Sequence, residues 1–272
     1  MGRLTIGSDP EFGFINEAGD QVYATKFINN PVEYGVGLDH HTHIAEVRSR
    51  PSGCPLRHVQ AIKYLLNRDI KIPSNIKVVA GTFCGQDPLG GHIHFKFPEK
   101  YENISFYSEA TTALDSLLGV PVLCLEDSAE ASKRRTDKFH AVNGNEGVNG
   151  PYGFWGDFRE TDHGFEWRTL PSWLVSESFA KQILCTAYVV VHDFMVNHKI
   201  HINFSDSYSK FNNGDKLLAT TSLKKIFETI RSMELYPIYA IQIASLFGLL
   251  KAFGGNKTWN CKENIIPKWN RR

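Results

Sequence analysis

No Cys-x-x-Cys pair, no excess of charge of either sign, no Gly-Lys-Ser/Thr tripeptide and no unbroken apolar run of membrane-spanning length occurs in this sequence of 272 residues. The five cysteines, Cys54, Cys84, Cys124, Cys185 and Cys261, are odd in number and widely spaced. That spacing argues against a disulfide framework or a structural zinc site and predicts a reducing, cytoplasmic setting. Thirty basic residues against 29 acidic ones leave a net charge of +1. No global field therefore draws the chain to nucleic acid or to an anionic membrane, and an anionic ligand must be met by a local cluster. The N-terminus lacks the apolar core of a signal peptide. The mostly apolar run from Pro237 to Leu250 contains Gln242 and Ser245 and is shorter than the roughly 18 to 20 residues that span a bilayer, so it reads as a core helix. Without a Lys-Ser/Thr, the glycine-rich stretch Gly85 to Gly91 signals a turn and not a Walker loop.

What is present reads as one α+β domain over 1–272, with a helical C-terminal part at about 215–272. Leu4 to Phe14, Val22 onward and Thr42 to Ser49 alternate like strands, with a turn at Asn16 to Asp20. Pro55 to Arg68 carries Leu56, Val59, Ile62, Leu65 and Leu66 at helical spacing. Lys77 to Thr82 and His92 to Phe97 read as strands, and Ser105 to Leu118 as helix. Glu126 to Gly156 is polar and glycine-rich and reads as a surface loop. Gly164 to Leu170 reads as a strand, and Glu177 to Asn197, Ser222 to Met233 and Pro237 to Phe253 read as helices.

The chemistry lies in polar residues placed two apart in strand-like segments: Asp9 with Glu11, Glu46 with Arg48, His92 with His94, and Glu166 with Arg168. Side chains alternate along a strand, so each pair shares a face, and four pairs could build one polar face. A wet antiparallel sheet alternates in the same way. Here, however, the flanks are Phe12 and Phe14, Gly90-Gly91 and Leu170-Pro171. Buried carboxylates need partners, and Asp9, Glu11, Asp39, Glu46 and Glu166 with two imidazoles favour Mg²⁺ or Mn²⁺ over zinc. Arg48, Arg159 and Arg168 can clamp phosphate or carboxylate. His40, His41 and His43 cluster beside Asp39, but His40 and His41 would point to opposite faces, and hydrogen-bonded structural roles suit them better than metal ligation.

In this order, the strings GSDPEF (7–12), GLDHHTHIAEVRSRPS (37–52), GGHIHF (90–95) and YGFWGDFRETDHGFEWRTLPSW (152–173) resemble the phage-encoded type 2 carboxylate-amine ligases, relatives of glutamine synthetase, over roughly residues 4 to 196. The resemblance implies a glutamine synthetase-like fold: a curved, mostly antiparallel sheet with a polar concave face and helices behind it. It implies metal ligands at Glu11, Asp39, Glu46, His92, Glu166 and Asp9, and ATP contacts from His94, Arg159, Arg168 and Arg48. Arg168, Arg159 and Glu46 would serve catalysis, joining a small-molecule or peptide carboxylate to an amine through an acyl-phosphate. The setting it implies is the cytoplasm of an infected bacterium, with oligomer formation left open. The chain departs from the family pattern where Arg134-Arg135 stand far from Tyr152-Gly153 and where His40 follows Asp39. Two rival readings are a zinc-dependent hydrolase using His92 and His94, and a non-catalytic phage protein that keeps the fold.

Overall fold

Pro10 splits the first predicted strand into β1 (Thr5–Ser8) and β2 (Glu11–Ile15). Proline has no N–H for a ladder, and the chain uses the break to pass from one sheet into another. The computed structural model describes residues 3–29, 33–39, 43–137, 151–162, 164–253 and 262–270. Further strands are β3 (Gln21–Val22), β4 (Gly35–Leu38), β5 (Ala45–Arg48), β6 (Lys77–Val79), β7 (Phe83–Cys84), β8 (Asp87–Pro88), β9 (Ile93–Lys96), β10 (Phe158–Thr161) and β11 (Gly164–Trp167). One antiparallel sheet has the order β1-β9-β11-β10, a second has β3-β2-β5-β4 with β6 also on β2, and β7 pairs with β8 by itself. The sheets are stitched where Glu11 N donates to Gly90 O at 2.8 Å and Val47 N to Pro10 O at 3.2 Å.

Register explains the two-sided character of the first sheet. Gly7, His94, Glu166 and Arg159 lie in one row across it. The neighbouring row of Ile6, Phe95 and Phe165 points the other way and is buried. Phe95 and Phe165 stack at 5.6 Å, and Phe97 lies 5.8 Å from Phe165.

Helices cover that apolar face. The described helices are α1 (Pro55–Asp69), α2 (Ile104–Leu114), α3 (Val120–Leu123), α4 (Ser128–Thr136), α5 (Glu177–Asn197), α6 (Tyr208–Asn212), α7 (Leu217–Arg231), α8 (Tyr236–Phe253) and α9 (Ile266–Trp269), of which α2 lies on that face through Tyr107 against Phe165 and α5 packs behind α1 and α2. The predicted helix 105–118 is α2, capped by Asn103, whose side chain accepts from Phe106 N at 2.9 Å; it runs into a π-helical turn, Asp115–Gly119. Helix α4 falls inside the segment read as loop, because Asp127 caps it through Ala129 N and Glu130 N. Residues 138–150 of that predicted loop lie outside the described residues, as does Cys261, while 151–156 belong to no helix or strand. The four described cysteines are free.

Both α5 and α8 are long and apolar enough to cross a membrane by length and composition. Within the fold, 72% of the apolar window of α5 is buried and only 28% of that of α8. The core-helix reading of Pro237 to Leu250 is therefore corrected: one side of α8 packs inward and the other is bare.

Arg134 and Arg135 are both buried and structural. Arg134 donates to the carbonyls of Thr169 at 2.8 Å and Leu170 at 2.7 Å, bracing the end of β11. Arg135 meets Glu126 through two bonds of 2.7 and 3.0 Å, both groups being sealed from solvent.

His58 of α1 is buried among Ser8 (2.8 Å), Ser49 (3.0 Å) and the Arg50 carbonyl (3.2 Å). The carbonyl only accepts, so Nδ1 carries the proton and Nε2 accepts from Ser8. Burial lowers the imidazole to about 4. The neutral form is the folded form, so its contribution is complete above the unfolded value near 6.5 and is lost as pH falls toward 4. Urea titrations at pH 7 and pH 4 should show an acid loss about 3 kcal/mol larger in the natural protein than in His58→Gln. Equal losses would refute this assignment.

Candidate active site

The row Gly7, His94, Glu166, Arg159 places an imidazole, a carboxylate and a guanidinium side by side on the exposed face of the first sheet. Asp9 joins them from the β1–β2 bend, not by strand alternation with Glu11 as the sequence suggested. His94 Nε2 lies 2.9 Å from Asp9 Oδ1, and His92 Nδ1 lies 3.2 Å from Glu166 Oε1 and 3.6 Å from Asp9. Arg168 reaches Glu166 Oε1 at 2.5 Å, and Arg159 Nε reaches its Oε2 at 2.9 Å.

Ligand atoms of Asp9, His94 and Glu166 all lie within 4.8 Å of one another, the spacing of a cation site. The sequence reading had assigned metal to His92 and phosphate to His94. In the fold His92 meets Tyr152 through Nε2 and Glu166 through Nδ1, and His94 lies with Asp9 and Glu166.

Beside this group stands a second one from the other sheet. Glu11 and Glu46 are direct cross-strand partners on β2 and β5, an arrangement that like charges make unfavourable unless something intervenes. Glu46 is bonded to Arg48, two residues along the same strand. Glu11 accepts from Gly90 N at 2.7 Å and from the Tyr152 hydroxyl. The same hydroxyl lies 3.0 Å from His92 Nε2, so Tyr152 links the two groups. Asp39, at the end of β4, has its N–H on the Ile44 carbonyl at 3.1 Å, and its charge acts on both Glu11 and Glu46.

The electrostatics divide the acids. Burial, with Asp39 next, raises Glu11 to about 7; burial, Asp39 and Asp9 raise Glu46 to about 10. Burial also pushes Asp9 and Glu166 up, yet the histidines, and Arg168 for Glu166, overcome it and hold both below the usual carboxylate range. Burial pulls His94 down, and Asp9 more than reverses that. The cluster is short of positive charge at Glu11, Glu46 and Asp39. Oxygen-rich donors with an imidazole fit a hard divalent cation such as Mg²⁺ or Mn²⁺.

All ten residues singled out in the sequence lie in or against these two groups. His40 and His41 lie outside the described residues; His43 sits apart, 2.8 Å from Asp87 with the Tyr23 ring 4.3 Å away. Sequence reasoning missed Tyr152 and Asp157. Arg168 N donates to the Asp157 carbonyl at 3.0 Å, and its side chain lies 3.9 Å from the Asp157 carboxylate. Neither residue belongs to an alternating pair; the glycines around Tyr152 were the only local signal.

The paired glycines before His92 have a steric reason. A Cβ on Gly90 would overlap His92 Nε2 and lie 2.6 Å from the Tyr152 oxygen; one on Gly91 would overlap the Pro171 carbonyl. Gly90→Ala should therefore shift His92 and Tyr152 and lower turnover by about 10²-fold, the cost of a displacement near 1 Å. Steady-state rates beside an unchanged melting curve would show it, and an undiminished rate would refute it.

Outward from His94 the same face opens into a cleft of about 470 Å³ between Thr5, Gly7, Pro51, Lys96, Thr161 and Asp162. An antiparallel sheet curled about clustered carboxylates, paired histidines and arginines defines the glutamine synthetase-like class of ligase folds. Solved structures share the fold. A glutamate–cysteine ligase from Francisella tularensis, in complex with AMP, superposes with a TM-score of 0.57 at 9% identity, covering 94% of this chain and 84% of its own. A bifunctional glutathione synthetase from Pasteurella multocida gives 0.54 at 12% identity and 93% coverage of this chain, which spans 48% of it. The ligase PafA, in complex with the ubiquitin-like protein Pup, gives 0.50 at 10% identity, with 98% and 66% coverage. No curated protein matches the sequence.

The chain belongs to the phage phiEco32-like COOH·NH2 ligase type 2 family, which it matches over residues 6–270. The match runs well past residue 196, so the C-terminal helices are part of the family pattern.

Proposed function

We propose that this protein is an ATP- and Mg²⁺-dependent carboxylate-amine ligase that works through an acyl-phosphate. The observation that carries the reading is the convergence of Asp9, His94 and Glu166 within 4.8 Å, flanked by Arg159 and Arg168 and adjoining the Glu11–Glu46 pair. Asp9, Glu166 and His94 would hold one cation, and Glu11, Glu46, Asp39 and His92 a second. Bound there, the ions would neutralise the β- and γ-phosphates of ATP. The nucleoside is assigned to the cleft beyond His94, which puts the triphosphate over the His94–Glu166 row.

Arg168 and Arg159 orient the γ-phosphoryl group, with Arg48 available beside Glu46. A substrate carboxylate oxygen attacks phosphorus in line as the bond to ADP breaks. An amine then attacks the acyl carbon, and phosphate departs. The amine's proton passes to the departing phosphate or to a carboxylate of the site. The protein's contribution is positioning and charge neutralisation in a partly dry site.

Phosphate release from ATP and Mg²⁺ in the presence of pooled acids and amines, followed by mass spectrometry, tests this. The expected product weighs the sum of acid and amine less one water. Tightly held zinc with ATP-independent hydrolysis would replace the proposal with a hydrolase. If ATP and Mg²⁺ cause neither thermal shift nor phosphate release, the protein is a non-catalytic relative.

A further inference from the structure

The bare side of α8 carries the strongest signal outside the active site. From Leu235 to Leu250 there is no charged residue. Ile238 is 65% and Ile241 78% exposed, and Ala244, Ser245, Gly248 and Ala252 continue the exposed stripe. The stripe is graded: bulky at the N-terminal end, small at the C-terminal end. Where it becomes small, a groove of about 660 Å³ opens between α7 and α8, with Phe227 and Phe247 in its walls. A Cβ on Gly248 would meet nothing within 4 Å.

We propose that this face is the two-fold interface of a homodimer, with α8 of one copy crossing α8 of the other in antiparallel fashion. An isologous contact requires a surface complementary to itself, so that residue i meets j and j meets i. The graded stripe meets that requirement. Ile241 and Gly248 are seven residues, about 10 Å, apart on one face. An axis between residues 244 and 245 seats Ile241 of each copy in the groove at Gly248 of the other.

The helical path is interrupted at Tyr239 (φ −118°, ψ 18°), so this register is carried by residues 241–252 alone. Charge stays at the rim of the groove, where the exposed Lys224 and Glu228 pair along α7 at 3.9 Å. A lipid surface fits less well: it would gain little area from Ala, Ser and Gly at the centre of the stripe and could not fill a concave groove, whereas small residues admit a second helix closely.

Sedimentation or light scattering of the full chain should give twice the 30.7 kDa chain mass at about 50 µM. Ile241→Glu, at a position exposed in the monomer, should keep the circular dichroism and melting temperature of the separate chain while raising the dimer dissociation constant about 30-fold or more. Ser245→Cys, beside the axis, should form a covalent dimer under mild oxidation that neither Ile238→Cys nor the natural chain forms. A monomer at every concentration overturns the proposal. So does a dimer indifferent to Ile241→Glu, or a monomer that sediments with anionic vesicles through this face.

Discussion

Arg168→Ala should reduce ATP-dependent turnover by about 10²- to 10³-fold, the usual cost of deleting one donor to a transition state. Arg168 is held against Glu166 at 2.5 Å, and burial leaves it only one-fifth exposed. Its charge survives burial because Glu166, Tyr152 and Asp157 surround it, which keeps its pKa above the ordinary arginine value. Glu166 would retain Arg159 and His92 in the variant, so the fold should persist and the melting temperature change little. Arg159 also bonds Glu166 but is 59% exposed, so Arg159→Ala should cost less than Arg168→Ala. Phosphate-release rates for the two variants decide the order; an Arg168→Ala enzyme at natural rate removes that side chain from the mechanism.

The second large effect falls on stability. Arg135→Ala should lower unfolding free energy by about 3–5 kcal/mol, since it strands the Glu126 carboxylate in the interior. The pair is bidentate, sealed, and stacked by the arginine over Trp155 at 5.2 Å. Replacing both partners together, as Glu126→Leu with Arg135→Met, should cost much less, because no orphaned charge remains. Urea denaturation of the single and double variants measures the difference. If Arg135→Ala loses under about 1 kcal/mol, Glu126 is not held as described.

How far the sequence could be read follows from which signals are local. The helix Glu177–Asn197 was bounded correctly from its apolar period, because a long buried helix repeats its signal six times over. The four two-residue polar pairs named side chains that the fold brings together, since alternation is a property of each strand alone. Strands β4 and β10 escaped: β4 has two glycines among its four residues, and β10 buries neither face, so no apolar alternation declares it. Helix α4 was masked by the glycines that follow it. Tyr152 reaches Glu11, 141 residues away, through a contact that no local pattern encodes. Nor could alternation foretell that Asp9 arrives by a proline bend, or that Arg134 and Arg135 serve the interior and not a ligand.

The bend at Asp9-Pro10 also limits how this molecule can open. Because β1 continues directly into β2, the acids contributed by the two sheets are tethered by the same few backbone bonds, and the sheets cannot hinge apart at that seam. The described run from Tyr152 to Asp157, which belongs to no strand, is where the lining of the site can give instead. The seam stays a fixed anvil against which the bound groups are pressed.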